Sequence, residues 1–367
     1  MLTVVQGYLN RNWQLISYPL RSPKRWLPKI IYFSINSVCN MKCKMCDIGQ
    51  REKDFQFAKN LCILQEIELP LSVFRKVIDE VLFFMPSVSI VATEPLLYSE
   101  IISASRYVKE RGLNLSITTN GLLLKKYVEP LLRIGLDDLW ISLDGTQELN
   151  DSIRGVKGSF DNVIRGIRST HFFKKELKSK KPNIHINFTI SDLNCHNLLD
   201  FAKEMIEEKV DSINFSHLNF VTGEMVKRHN DQFELFCKTT PSSVRGVNPR
   251  KIDFESLHEQ IKEILRLFPK GKVTFTPDLR NKRLLCDYYL RPDLRVGKKR
   301  CLVPWTTASI QPNGDMVVLS RCFNYVLGNL MKQNFLEIWE CQRYQSFRRK
   351  LWKNKYFPAC TRCCGIL

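Results

Sequence analysis

Ile30-Ile31-Tyr32-Phe33-Ser34-Ile35 leads through Asn36-Ser37-Val38 into Cys39-Asn40-Met41-Lys42-Cys43-Lys44-Met45-Cys46. The opening run is rich in β-branched and aromatic residues and reads as a strand. The closing eight residues space three thiols so that one loop can wrap a single face of a cube. Three thiolates on a four-iron cluster leave one iron without a protein ligand, and a small chelating molecule can occupy it, as open coordination does in catalytic metal sites. Zinc is the alternative, but structural zinc takes four closed ligands. The next cysteine, Cys62, lies far along the chain, and Asp47 is the other candidate.

Outward from this loop the chain alternates short β-rich runs with helical patterns. Leu71–Met85 has helical apolar spacing, with Pro86 beyond its end, and Val88–Ala92 is the next strand. Ile101–Arg111 (helix, closed by Gly112), Leu113–Thr118 (strand), Lys125–Ile134 (helix, closed by Gly135) and Leu139–Leu143 (strand) continue the pattern. A helix from Phe160, the strand Ile184–Ile190, the helix Leu198–Glu208 and the strand Ser212–Phe215 complete it. Strict alternation implies a parallel sheet with crossover helices, whose chemistry sits in the loops after the strands. The cysteine loop and the Glu94-Pro95 turn both occupy such positions. Residues 231–300 are expected to be a helical, basic connector. After Cys301 come two short strands, Thr306–Gln311 and Asp315–Leu319, turned at Gly314, then a helix Phe335–Leu351 and the terminal Cys360-Thr-Arg-Cys363-Cys364. Residues 1–29 read as an N-terminal cap.

Thirteen cysteines in 367 residues are many for a reducing compartment, where disulfides rarely persist and clustered cysteines point to iron–sulfur or zinc ligation. Cys62, Cys195, Cys237, Cys286 and Cys341 stand apart and read as small apolar core residues. The 56 Lys and Arg against 37 Asp and Glu give a net charge of +19, which favours anionic partners. No RNA-binding signature accompanies the basic runs. The longest apolar stretch, Val81–Thr93, is too short to span a bilayer, where about 20 residues are needed. No secretory pattern opens the chain, so a cytoplasmic location is the default. His217 and His229 lie beyond a late strand and are read as structural histidines in preference to substrate contacts.

The C-x3-C-x2-C loop after the first strand resembles that of the radical SAM superfamily. The resemblance implies an α/β chain, a partial (β/α)6 TIM-like barrel, with a small C-terminal iron–sulfur-binding module of β-hairpin and helix. It implies a [4Fe–4S] cluster on Cys39, Cys43 and Cys46, S-adenosylmethionine (SAM) chelating the open iron, and a 5′-deoxyadenosyl radical that abstracts hydrogen from substrate. The family's Gly-Gly-Glu-Pro turn appears as Ala92-Thr93-Glu94-Pro95. Thr118-Thr119-Asn120-Gly121 resembles the motif closing the third strand, Ser142-Leu143-Asp144-Gly145 the fourth, and Arg154-Gly155 the segment after it. The implied SAM contacts are Met45, Thr93, Glu94, Asn120, Ser142 and Arg154, the last as a bidentate fork.

Residues 301–367 resemble the SPASM or shorter twitch extension of that superfamily. The resemblance implies one auxiliary [4Fe–4S] cluster on Cys301, Cys322, Cys360 and Cys363, with a zinc knuckle from the same residues as the alternative. Residues 30–230 would then be the barrel. The implied partners are a low-potential electron donor such as flavodoxin or ferredoxin and a substrate that is a peptide, a sugar-like small molecule or another anion. Two further readings stay open: an RNA-modifying radical enzyme, and a zinc-binding protein without catalysis.

Overall fold

The structure, a computed structural model, describes residues 26–296, 300–318, 321 and 323–363. Cys322 and Cys364, and most of the expected N-terminal cap, lie outside the described residues.

Among the described residues, ten strands form one sheet in the order β10-β9-β8-β1-β2-β3-β4-β5-β6-β7. They are β1 Ile30–Phe33, β2 Ser87–Ile90, β3 Leu115–Thr119, β4 Asp138–Ser142, β5 Asn183–Ile190, β6 Ser212–His217, β7 Val273–Thr276, β8 Thr307–Ile310, β9 Asp315–Val317 and β10 Val326–Asn329. Strands β1 to β7 pair parallel throughout, and β8 pairs parallel to the free side of β1. The first six strands are the partial barrel; its sheet is open, ending at β7 on one side and β10 on the other. The crossover helices are α1 Leu71–Val81, α2 Ile101–Glu110, α3 Leu124–Ile134, α4 Gln147–Arg154, α5 Ser159–Glu176 and α6 Leu198–Glu207. Beyond β6 come α7 Gly223–Cys237, α8 Phe254–Leu267, α9 Lys282–Leu290, α10 Phe335–Trp339 and α11 Gln342–Asn354.

Each strand alternates, and the alternation sorts the two faces. In β5, Ile184, Ile186, Phe188 and Ile190 are fully buried, and Phe188 packs with Phe201 of α6 and Phe215 of β6. Full burial of such side chains stabilises by about 1.5–3 kcal/mol each. The intervening Asn187 and Thr189 face a cavity on the opposite side of the sheet. A parallel sheet covered on both faces reads as near-continuous apolar runs. This one alternates because one face lines a site.

Two expectations are corrected. The stretch 231–300 is more than a connector, because α8 and β7 add a seventh parallel unit to the sheet. The strand Val-Thr-Phe-Thr is short, half polar and at an edge, so its apolar signal is weak. The helix expected over Phe335–Leu351 is two helices, broken where the Cys341 sulfur accepts a hydrogen bond from the Tyr344 N–H at 3.3 Å and caps α11.

The C-terminal module is tied to the sheet by more than β8. Arg362 is buried and donates to the main-chain carbonyls of Asp287, Tyr288 and Arg291 at the end of α9, as well as Leu294 and Thr361. A guanidinium there satisfies carbonyls that a helix end leaves open and complements its dipole. Phe233 and Phe236 of α7 pack on Phe357 and Phe347 of the module.

Candidate functional site

At the C-terminal ends of the parallel strands the polar members of the alternation meet around two cavities. The first, about 350 Å³, is lined by Cys39, Cys43 and Cys46, by Thr118 of β3, Ser142 of β4, Asn187 and Thr189 of β5 and Ser216 of β6. The second, about 470 Å³, is lined by Tyr32, Ser34, Ser309 of β8 and Cys363. Ala92, Asn187 and Arg321 line both, so the two spaces adjoin.

The cysteine loop is held from below by the end of α4. The Lys42 N–H donates to the Arg154 carbonyl at 3.0 Å and the Lys44 N–H to the Ile153 carbonyl at 2.9 Å. Gly155 ends α4 at φ 68°, and a Cβ there would meet the Lys42 carbonyl oxygen at 2.8 Å. Asp47, directly after the third cysteine, accepts from the Ser242 hydroxyl at 2.6 Å and the Ser243 N–H at 2.7 Å. Those bonds tie it to the 242–243 segment, and it is not among the residues that line the cavity with the three cysteines. Cys43 is buried, whereas Cys39 and Cys46 are half-buried. Burial pushes the Cys39 thiol up to about 11 and the Cys43 thiol up to about 12, with Arg154 opposing the second shift. These sulfurs also receive donors: Asn120 Nδ2 lies 3.9 Å from Cys39 Sγ and Arg154 Nη1 lies 3.8 Å from Cys43 Sγ. Hydrogen bonds to sulfur are one of the means by which a protein tunes an iron–sulfur cluster.

Of the six residues matched to SAM contacts, Met45, Thr93, Asn120, Ser142 and Arg154 line the first cavity. Glu94 does not. It is fully buried behind the wall, where its carboxylate accepts from the Leu96 N–H (3.0 Å), the Thr119 hydroxyl (2.6 Å) and the Asn120 N–H (2.7 Å). It therefore fixes the loop after β3 against the loop after β2. Asn120 in turn donates to Asn40 Oδ1 at 2.7 Å, carrying that order to the cysteine loop. Ala92 sits at φ 93°, so the turn keeps a backbone form that favours glycine. Arg154 pairs with the buried Asp144 at 2.5 Å. Burial opposes the charge on Arg154, but Asp144 together with the Cys43 and Cys46 sulfurs outweighs it and raises the pKa. Its Nε is buried without a partner in the protein.

In the C-terminal module Cys301, Cys360 and Cys363 are all buried. Burial raises Cys360 far above the usual thiol range, and Cys363 and Cys301 push the same way, so the three thiols are neighbours. Cys322, the fourth expected ligand, lies outside the described residues. Among the described residues no three His, Cys, Asp or Glu side chains converge on a point that a single metal ion could occupy. In the first site Cys39, Cys43 and Cys46 border one cavity with N–H donors toward two of the sulfurs, which suits a cluster that takes its ligands at separate corners.

The two histidines divide. His229 stacks on Phe323, and its Nε2 lies 2.7 Å from the Cys237 carbonyl oxygen, away from both cavities. His217 lines the first cavity, with Nδ1 2.8 Å from the Tyr289 hydroxyl and a buried Nε2 that has no partner. Asn187, Ser243 and Arg321 also line the cavities and belong to no motif read from the sequence. The strand alternation of β5 was the available signal for Asn187; nothing local marks Ser243 or Arg321.

Residues 33–171 match the model of the radical SAM superfamily, and residues 301–364 match the SPASM iron–sulfur cluster-binding domain. The Fe-coproporphyrin III synthase of Methanosarcina barkeri is 28% identical over 224 residues, which are 60% of this chain and 51% of that protein. The chain thus spans about half the length of that relative. The tungsten-containing aldehyde ferredoxin oxidoreductase cofactor-modifying protein of Pyrococcus furiosus is 23% identical over 362 residues, 91% of this chain and 87% of that protein. Among solved structures, Streptococcus suis SuiB has a TM-score of 0.64 at 18% identity, covering 97% of this chain and 77% of that one. That last likeness concerns the fold.

Proposed function

We propose a function from the premise that the chain belongs to the radical SAM superfamily and ends in a SPASM iron–sulfur module: it abstracts hydrogen from a substrate held across the two adjoining cavities. Cys39, Cys43 and Cys46 hold the SAM-binding [4Fe–4S] cluster in this reading, and Cys301, Cys322, Cys360 and Cys363 hold one auxiliary [4Fe–4S] cluster. When bound, the reduced cluster and SAM together supply a 5′-deoxyadenosyl radical.

The protein's own residues do the rest. Asn120 and Arg154 donate toward the cysteine sulfurs; Met45, Thr93 and Ser142 bound the space beside them. Asp144 and Cys43 hold the two terminal nitrogens of Arg154, which leaves its Nε as the donor for a carboxylate or ribose oxygen. Glu94 positions Asn120 from behind. The observation that carries this reading is the continuity of the two spaces: a molecule lying against Ala92, Asn187 and Arg321 reaches both the cysteine loop and Cys363. A low-potential donor of the flavodoxin or ferredoxin kind supplies the electron, and the net reaction is an oxidation or cross-link.

Substrate class is the open variable. SuiB has been solved bound to its precursor peptide SuiA, which supports a peptide; relatives such as the coproporphyrin synthase support a small molecule. The net charge of +19 favours a second reading, modification of RNA, which salt-sensitive tRNA binding would support. The direct test is 5′-deoxyadenosine release from SAM under a low-potential reductant. The wild-type chain should release it, and Cys43→Ala should not; equal release from both would refute the assignment.

A further inference from the structure

Arg321 and His217 both line the first cavity, and neither has its polar atoms fully used among the described residues. Arg154, the other guanidinium of the first cavity, is neutralised by Asp144. Arg321 donates from Nη1 only, to the Asn219 carbonyl at 3.1 Å and the Ser243 hydroxyl at 2.8 Å, both uncharged. No carboxylate forms an ion pair with it among the described residues. Its guanidinium carbon lies 4.8 Å from the Phe57 ring centroid, which holds the plane in place. The nearest acid through bonds, Asp47, is already occupied by Ser242 and the Ser243 N–H. Arg321 is half-buried, so its unused guanidinium nitrogens are accessible at the place where the two cavities join, and a ligand that brings a counter-charge can reach them.

The second observation is independent. His217 is fully buried, and burial holds its pKa down at about 3, so the ring is neutral. Its Nδ1 is fixed by Tyr289. In the tautomer in which Tyr289 donates to Nδ1, Nε2 carries the hydrogen and is a donor without an acceptor. Both residues line the first cavity, and Arg321 lines the second as well.

We infer that Arg321, assisted by the Nε2 of His217, binds an oxyanion of the substrate, a carboxylate or a phosphate, at the junction of the two cavities. The inference rests on the proposed function for calling that ligand the substrate, and not for the anion site itself. The planar fork of Arg321 has free donors for a bidentate contact, which a lysine at the same place would not reproduce.

The test is calorimetric titration of the iron-loaded chain, saturated with SAM, with pyrophosphate in one arm and citrate in the other. Saturating SAM fills its own site first. Arg321→Gln should weaken binding of the preferred anion about tenfold, and Arg321→Lys less. His217→Phe, which keeps a ring packed on Tyr288 and Tyr289, should weaken it about threefold and decides the matter if the Arg321 variants do not fold. Which arm responds separates a phosphate from a carboxylate. Anion binding unchanged in the variants, or Arg321→Gln weakening SAM binding instead, would overturn the inference. Should the wild-type chain bind neither iron nor SAM, the radical reading fails, while the anion titration of the iron-free chain still reports on Arg321.

Discussion

At Ala92 the backbone adopts φ 93°, a region that a side chain with a Cβ enters at about 1–2 kcal/mol. Glycine enters it at little steric cost, and the sequence keeps only the Glu-Pro half of a turn that resembles Gly-Gly-Glu-Pro. Ala92→Gly should therefore raise the melting temperature of the iron-free chain, or leave it unchanged, despite the added unfolded-state entropy. A clear fall would mean that the methyl group packs usefully in the cavity wall. His217 makes the second residue-scale prediction. Its pKa falls from 6.5 to about 3 on folding, through burial. Between those values the unfolded chain binds a proton that the native state refuses, so stability drops as pH falls from 6.5 towards 3. At pH 5 the penalty is about 2 kcal/mol. His217→Phe should flatten that part of the stability–pH curve by about this amount, measured by denaturant unfolding at pH 7 and pH 5. The cysteine loop was legible from spacing, and the other motif residues only through the family resemblance; Arg321 and Ser243 were legible from neither. Their roles depend on where distant chain segments meet, and a lone arginine in sequence looks like any surface charge.

The element that matters most is α4, because its last turn carries the cysteine loop. Gly155→Ala would place a methyl 2.8 Å from the Lys42 carbonyl at a positive φ, displacing the loop or uncoiling the helix end. The expected result is lower iron content after reconstitution and a lower melting temperature. Gly158→Ala is the control: it has a similar φ of 75° and meets nothing within 4 Å, so it should lose stability without losing iron. Equal iron loss in both would show that strain, and not the contact with the loop, is responsible. Strands β1 to β6 were readable to within about two residues, because each alternates or runs apolar for long enough. Strand β7 was not, since Val273–Thr276 offers two apolar residues at a sheet edge. The division of α10 from α11 turns on a sulfur accepting a backbone hydrogen bond, which no periodicity reports.

At the scale of the whole molecule, the C-terminal module extends the barrel sheet. Strand β8 pairs with β1 in parallel, and the β9–β10 hairpin prolongs the same sheet. This explains how cysteines more than 250 residues apart come to border adjoining cavities. Sequence reading separated the module from the barrel because pairing across such a distance leaves no local trace. Arg362, set between Cys360 and Cys363, seals the arrangement by binding the end of α9. The most direct test of two clusters at two ends of one joined space is iron per chain after anaerobic reconstitution. The account predicts about eight irons in the wild type, about four in Cys39→Ala/Cys43→Ala/Cys46→Ala and about four in Cys360→Ala/Cys363→Ala. About four irons in the wild type, unchanged by replacing Cys360 and Cys363, or bound zinc in place of iron, would contradict it.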